Sequence, residues 1–417
     1  MTTESTASAV LRGDGTAVVT IDGEEQRIER TDDNEAMRAA VELVAEHARE
    51  NETPITVTTQ DESGTGTLVV EPDGRVSAPS ASESTLVSGP VTGPVTPLPS
   101  RRDLRTARDF AETKRPVQAG PAETGVRGAI NKLSGGSLQL APSARELEER
   151  EHRASIQRGL LGHKTVVFVN LKGGSSKTTA TYLVGAVLGR IRGGNVLAWD
   201  NNENKGTLAD RAIKAGHDHT AIDLLDHIDD FQSPENAPHL VNYVRAQGEN
   251  KFHVLASQDS GSARPVIDGA AFTKLHKALR QFYHLILVDT GNASNASTWQ
   301  AAVAEADEVV VVTLNREDSA KTAASTIDDL VKQGHADKLA RGIAIITEVP
   351  SKNAEQKRRA DERMQRLREH LAGYVREVVV IPNDKALDDG DDILYERLGR
   401  ETTKAYTRAT AAIINGL

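Results

Sequence analysis

The sequence predicts an α/β protein: a mostly parallel, doubly wound sheet with helices on both faces, preceded by a small α/β module on a flexible linker. Three observations predict it. From residue 164 onward, short apolar runs alternate with amphipathic helical stretches. Those runs are continuous in Val, Ile and Leu rather than alternating, which marks strands buried on both faces. Between the first run and the first helix lies a glycine-rich loop, the layout of a strand, phosphate cradle and helix.

At 417 residues the chain has room for two or three domains. Its formal charge of -10 is unevenly spread. Residues 1–78 hold 17 acidic and 6 basic side chains, whereas residues 79–163 hold 9 and 12, and residues 164–417 are nearly balanced at 34 and 32. No cysteine is present, which leaves no disulfide framework and no thiolate metal site. The opening MTTESTASAV lacks a basic and apolar leader, and no run of 18 apolar residues exists. A cytoplasmic protein without integral membrane association is expected.

Residues 1–78 read as a small acidic α/β module of order β-β-α-β-β. Residues 16–21 and 26–29 flank Asp22-Gly23, a short-hairpin signal. Met37, Ala40, Val41, Val44, Ala45 and Ala48 mark one helix face, and strands at 55–59 and 66–71 follow. Its acidic residues fall on hairpins and the outer helix face, giving a solvated surface, with partner docking as the alternative. Residues 79–124 change to Pro, Ser, Gly and Thr, a composition that cannot bury enough apolar surface to order itself. This linker has a basic part carrying Arg101, Arg102, Arg105, Arg108, Lys114 and Arg115. It either adds a salt-sensitive contact to DNA or anionic lipid, or only solubilises the linker. Residues 125–163 read as a helical adaptor against the following domain, with Ser143-Ala-Arg-Glu146 as a capping box.

Within residues 164–417, strands are expected at 164–170, 196–200, 252–256, 285–289, 308–313, 342–347 and 377–381. Helices are expected at 177–191, 270–282, 319–333, 354–371 and 401–414. In such a sheet ligands bind beyond the carboxyl ends of the strands, and the motifs fall there. The first is Asn170-Leu-Lys-Gly-Gly-Ser-Ser-Lys-Thr-Thr179. Gly173 and Gly174, with Ser175 and Ser176, let backbone N–H groups approach an anion, and Lys177 reaches its outer phosphates. Thr178 offers a hydroxyl to Mg²⁺, and Thr179 opens the helix. A glycine-rich turn that binds nothing is the bland alternative. If Ser176 needs a positive φ, it costs on the order of 1–2 kcal/mol that glycine would not.

Strand 285–289 ends in Asp289, expensive in an apolar run unless a hydrated Mg²⁺ satisfies it; helix capping is the alternative. Strand 196–200 ends in Asp200, followed by Asn201, Asn202 and Glu203. Helix 354–371 carries Arg359, Arg363 and Arg366 on one face, able to meet nucleic-acid phosphates, although a mixed solvated helix is the favoured reading. Arg316 is a further candidate for DNA or partner contact.

The loop departs from the usual G-x-x-x-x-G-K-[ST] pattern, and its extra Lys172 before the glycine pair resembles the deviant phosphate loop of the ParA/MinD family of partition and positioning ATPases. The resemblance covers about residues 164–417. It implies a P-loop ATPase binding ATP and Mg²⁺ and forming a homodimer on ATP, in which Lys172 reaches the partner's phosphates. It also implies that Asp289 acts on the metal through water, and that Asp200 supports metal and loop. The family's second aspartate, which orients the attacking water, falls here at Asn202. An amide can hold water but cannot take its proton, so slow, partner-stimulated hydrolysis is expected, with Glu203 as a conceivable substitute. Val378-Val-Val-Ile-Pro382 resembles the segment beside the base, which would place Pro382, Asn383 and Asp384 on adenine. The resemblance implies non-specific DNA binding, plasmid or chromosome partitioning or cargo positioning, an activating partner protein and nucleoid association. The C-terminus lacks the basic amphipathic tail of MinD proteins. The rival reading is a weakly hydrolysing, ATP-bound regulator or scaffold at a secretion or conjugation apparatus, docked through the N-terminal module.

Overall fold

A computed structural model describes residues 6–12, 16–30, 33–61, 64–77, 120–134, 139–202, 206–232, 234–257 and 267–417. Residues 79–119 of the expected linker, with its basic part, and Glu203 lie outside the described residues, whereas 120–124 are described, with Ala122 buried. The chain divides into two compact units, Met1–Arg150 and Glu151–Leu417.

In the first unit, β1 (Thr6–Leu11), β2 (Thr16–Ile21), β3 (Glu24–Glu29), β4 (Ile55–Asp61), β5 (Gly64–Val70) and β6 (Val76–Ser77) form one sheet of order β3-β2-β1-β4-β5-β6. β1 pairs antiparallel with β2 and parallel with β4. The expected hairpin at Asp22-Gly23 is present, with Asp22 at φ 50° and Gly23 at φ 90°. Helix α1 (Asp33–Glu50) buries the expected Met37, Ala40, Val41, Val44, Ala45 and Ala48 against the sheet.

Two expectations need correction. The order begins with a further strand, β1, whose small residues (TASAVL) give a weak strand signal although it occupies the sheet centre. The first adaptor helix, α2 (Gly125–Leu133), puts Ala129 and Ile130 into this unit's core. Buried Asn131 anchors it, donating to Ala122 O at 3.0 Å and Leu140 O at 3.1 Å and accepting from Leu140 N at 2.8 Å. α3 (Ala144–Gln157) follows, and its Glu146 carboxylate accepts from Glu123 N at 2.8 Å and meets Arg150 at 2.7 Å.

The second unit is built on an eight-stranded sheet of order β14-β13-β12-β7-β11-β8-β10-β9. Its strands are β7 (Lys164–Val169), β8 (Val196–Asn201), β9 (Arg245–Ala246), β10 (His253–Leu255), β11 (Leu285–Thr290), β12 (Glu308–Leu314), β13 (Ile343–Thr347) and β14 (Glu377–Ile381). Every recorded pairing is parallel except β9 with β10, so crossover helices must cover both faces.

One face carries α6 (Gly269–Leu279), α7 (Ser297–Glu305), α8 (Glu317–Lys332), α9 (Ala336–Arg341) and α10 (Ala354–Ala372), with Phe272, Trp299, Ile327, Leu339 and Leu371 in a common core. The other face carries α4 (Lys177–Ile191) and α11 (Arg400–Gly416). α4 is buried from Ala180 to Gly189, nearly all round, because α11 lies on its other side. Residues such as Val167 and Val310, inside on either face of the sheet, each contribute about 1.5–3 kcal/mol by burial. A short α5 (Ala221–Asp226) follows β8. Among the described residues, no helix is long and apolar enough to cross a membrane.

Candidate functional site: a phosphate-cradling cleft

β7 ends at Val169 and α4 starts at Lys177, so the loop between them lies at the carboxyl end of a strand flanked by β11 and β12. Asn170 fixes its start, donating Nδ2 to Val312 O at 2.7 Å and accepting from Lys172 N at 2.9 Å. Gly174 and Ser176 both stand in the left-handed region, at φ 72° and 70°. Glycine takes that conformation freely, whereas Ser176 does so at a cost of about 1–2 kcal/mol. The Ser176 side chain makes no capping bond, which leaves the N–H groups of α4's first turn facing the cleft without a side-chain acceptor. Such a terminus favours an anion.

Lys177 is buried, and its ammonium donates to Asn292 Oδ1 at 2.8 Å and to Lys172 O at 3.5 Å. Burial lowers its pKa, and the nearby Asp289 and Asp200 carboxyls partly restore it. Its bonded partners are neutral oxygens, so a phosphate would supply the missing direct counter-charge.

Asp289 and Asp200 stand opposite one another in the register of β11 and β8, both inside the fold. Asp289 accepts from Thr178 Oγ1 at 2.6 Å through Oδ2, while its Oδ1 is buried with no partner. Burial, then the Asp200 carboxyl, raise the Asp289 pKa to about 7, against the pull of Lys177 and Thr178. Asp200 is raised by burial and held back by bonds from Asn202 and Leu208. It accepts from Asn202 Nδ2 at 3.0 Å, Asn202 N at 3.3 Å and Leu208 N at 3.1 Å. Gly206 passes so close that a Cβ there would lie 2.0 Å from Asp200 Oδ1.

An orphaned carboxylate oxygen, a hydroxyl beside it and a neighbouring carboxyl form a hard-oxygen set that fits Mg²⁺ held partly through water and phosphate. Among the described residues no group of three His, Cys, Asp or Glu could hold a metal by itself.

The cleft encloses about 570 Å³ and brings together Gly173, Gly174, Ser175, Ser176, Lys177, Thr178, Thr179 and Asn202 from the expected set. Asn202 turns its amide nitrogen to Asp200, and its Oδ1 lies 3.4 Å from where a Gly291 Cβ would stand. Lys172 is not among the lining residues. Its ammonium points to Asp318 Oδ2 at 3.1 Å, and it holds that exposed carboxyl below its usual pKa.

The base contacts expected of Pro382, Asn383 and Asp384 are not brought to the wall. Asp384 instead caps the turn after β14, accepting from Ala386 N at 3.0 Å and Gly399 N at 2.8 Å. The wall uses Leu387, Asp388 and Gly390 from that loop, with Thr207, Arg211, Thr290 and Asn292. Asn292 had a signal, following Asp289 by three residues at a strand end. Arg211 and Leu387 had none, because only the tertiary fold brings their loops together.

Each of the three arginines on the expected face of α10 has a partner within the chain, with Arg359 and Arg366 still exposed and Arg363 half-buried. Arg359 pairs with Glu355 at 2.6 Å, Arg366 meets Glu317 at 3.7 Å, and Arg363 turns inward to Asn315 O at 2.7 Å. Arg316 lies at the N-cap of α8.

No family model matches the chain. It is 26% identical over 275 residues to the ESX-1 secretion-associated protein EspI of Mycobacterium tuberculosis, covering 60% of this chain and 40% of that protein. The chain thus spans well under half the length of that curated relative. Among solved structures it is similar to a ParA family ATPase from Chlorobium tepidum (16% identity, 60% of this chain and 98% of that one, TM-score 0.47). It is also similar to MinD in the MinC:MinD cell division complex of Aquifex aeolicus (21%, 59% and 94%, 0.45) and to the Pyrococcus furiosus cell division ATPase MinD (21%, 60% and 98%, 0.44). In its phosphate loop, with Lys172 ahead of the glycine pair, and in its parallel, doubly covered sheet, the unit Glu151–Leu417 is similar to the ParA and MinD ATPases.

Proposed function

We propose that this chain is an ATP-binding, slowly hydrolysing molecular switch that pairs with a second copy when ATP is bound. The observation that carries this reading is the buried Lys177 beside the Thr178–Asp289 pair, at a helix N-terminus with no side-chain cap. The first-turn N–H groups and Lys177 bind the phosphates; Thr178 and Asp289 would hold Mg²⁺, which when bound shields phosphate charge. Asn202 positions the attacking water through its Oδ1 but cannot take its proton, which makes turnover slow. Lys172, outside its own cleft, reaches the phosphates of the second copy after leaving Asp318.

As a cytoplasmic ATPase of the positioning kind, the chain would carry or place a cargo on non-specific DNA, with an activating partner protein raising hydrolysis. The likeness to EspI, together with the engaged arginines of α10 and the amide at 202, favours a second reading. In it the ATP-bound pair regulates or scaffolds a secretion apparatus and docks through its N-terminal unit. Sedimentation of the full chain with ATP, ADP or no nucleotide, with and without duplex DNA at 50 and 300 mM salt, tests both. An ATP-dependent dimer that binds DNA only at low salt supports the positioning role, and one indifferent to DNA supports the secretion role. A chain that neither binds nor dimerises on ATP refutes both.

A further inference from the structure

One cation on the cleft wall has no part in the phosphate cradle. Arg211 lies one helical turn beyond Thr207, whose hydroxyl donates to Thr178 Oγ1 at 3.2 Å, and it faces the loop that follows β14. Its Nη2 donates to Leu387 O at 3.4 Å, a long bond, and its Nε is buried with no partner. Its own carbonyl accepts from Ile393 N at 3.0 Å, and a Cβ on Gly390 would stand 3.6 Å from its Nη1. Burial lowers its pKa, and the exposed Asp391 and Asp392 and the phenol of Tyr406 work the other way. Among the described residues no carboxylate forms an ion pair with it. A planar, partly desolvated donor group is thus held on both sides by the loop and left under-used where it meets the cleft.

The phosphates are already provided for by Lys177, Thr178 and the start of α4. What remains of the wall is Leu387, an apolar side chain packed on the core, together with Asp388, Gly390 and Arg211. An apolar edge, a guanidinium plane and a carboxylate suit a heteroaromatic ring bearing donor groups. We propose that Arg211 is a nucleotide-binding residue that holds the nucleoside end of the ligand, stacking its guanidinium on the base beside Leu387. This rests on the nucleotide reading of the cleft and names a contact that the expected Asn383 and Asp384 do not provide.

Titration of the full-length chain with ATP and with ADP, in wild type, Arg211→Ala, Arg211→Lys and Lys177→Ala, tests it. A nucleoside contact is shared by both ligands, so Arg211→Ala should weaken ATP and ADP by the same factor, about tenfold, and lysine should restore little of it. Leu387→Ala should weaken both in parallel, which keeps the test open should Arg211→Ala fold poorly. Unchanged affinity in Arg211→Ala, or a loss for ATP alone, overturns the inference. If Lys177→Ala abolishes binding while the Arg211 and Leu387 variants bind as wild type, this inference alone falls. A wild-type chain that binds neither nucleotide removes the cleft's reading and this one with it.

Discussion

Ser176→Gly isolates the strain stored in the phosphate loop. The residue sits at φ 70°, its hydroxyl caps nothing, and the change removes only a Cβ and a hydroxyl. Relieving a left-handed non-glycine residue is worth about 1–2 kcal/mol. Against this, glycine adds about 0.4–1 kcal/mol of unfolded-chain entropy. The net is a gain of about 0.5–1 kcal/mol, which for a unit of this size raises the nucleotide-free Tm by roughly 1–4 °C. Ser176→Ala is the control: it keeps the Cβ that causes the strain and should melt with wild type. Scanning calorimetry of the nucleotide-free chain, following the transition of the larger unit, reads both. A fall in Tm for the glycine variant, or an equal rise for the alanine variant, would refute the strain argument and assign the serine a contact of its own.

Lys177→Ala should abolish nucleotide binding, whereas Lys172→Ala should leave it nearly intact and remove the ATP-dependent dimer; a dimer that persists in sizing experiments disproves the reach to the second copy. Asp289, with a pKa raised to about 7, is protonated in the nucleotide-free chain under mildly acid conditions. Because a metal needs the carboxylate, Mg·ATP affinity should climb about tenfold from pH 6 to 8. The same shift means that the nucleotide-free fold binds this proton more tightly than the unfolded chain does, so its stability should decline between about pH 4 and 7. Asp289→Asn should flatten both profiles. Asn202→Asp should speed hydrolysis in a phosphate-release assay while lowering nucleotide-free stability, since it sets a third carboxylate against Asp200; unchanged turnover would mean that the amide does not limit the rate.

The sheet was legible because its strands are runs such as KTVVFV and EVVVVTL, whose composition leaves no other use. The phosphate end of the cleft was legible for a related reason: it is built from one contiguous loop and from residues directly ending strands. The opposite wall of the cleft was not. Arg211 and Leu387 are far apart in sequence and meet only because the loop after β14 crosses to the segment beyond β8. Asp384 caps a turn, and a capping carboxylate and a base-binding one look alike in sequence. β1 was missed because small residues at a sheet centre carry little apolar signal, although their position demands small size. On α10, spacing placed three arginines together, but it could not show that Asn315 would draw Arg363 inward.

The pairing of Asp289 with Asp200 across β11 and β8 also bears on how long the chain survives. Two carboxyls inside a sheet, one with a buried oxygen that no protein group bonds, cost the nucleotide-free chain stability. Ligand that binds only the folded form adds RT ln(1 + [L]/Kd), about 4 kcal/mol at a thousandfold excess over Kd. The nucleotide pool would then set the chain's half-life against proteases, with copies that stay empty cleared first.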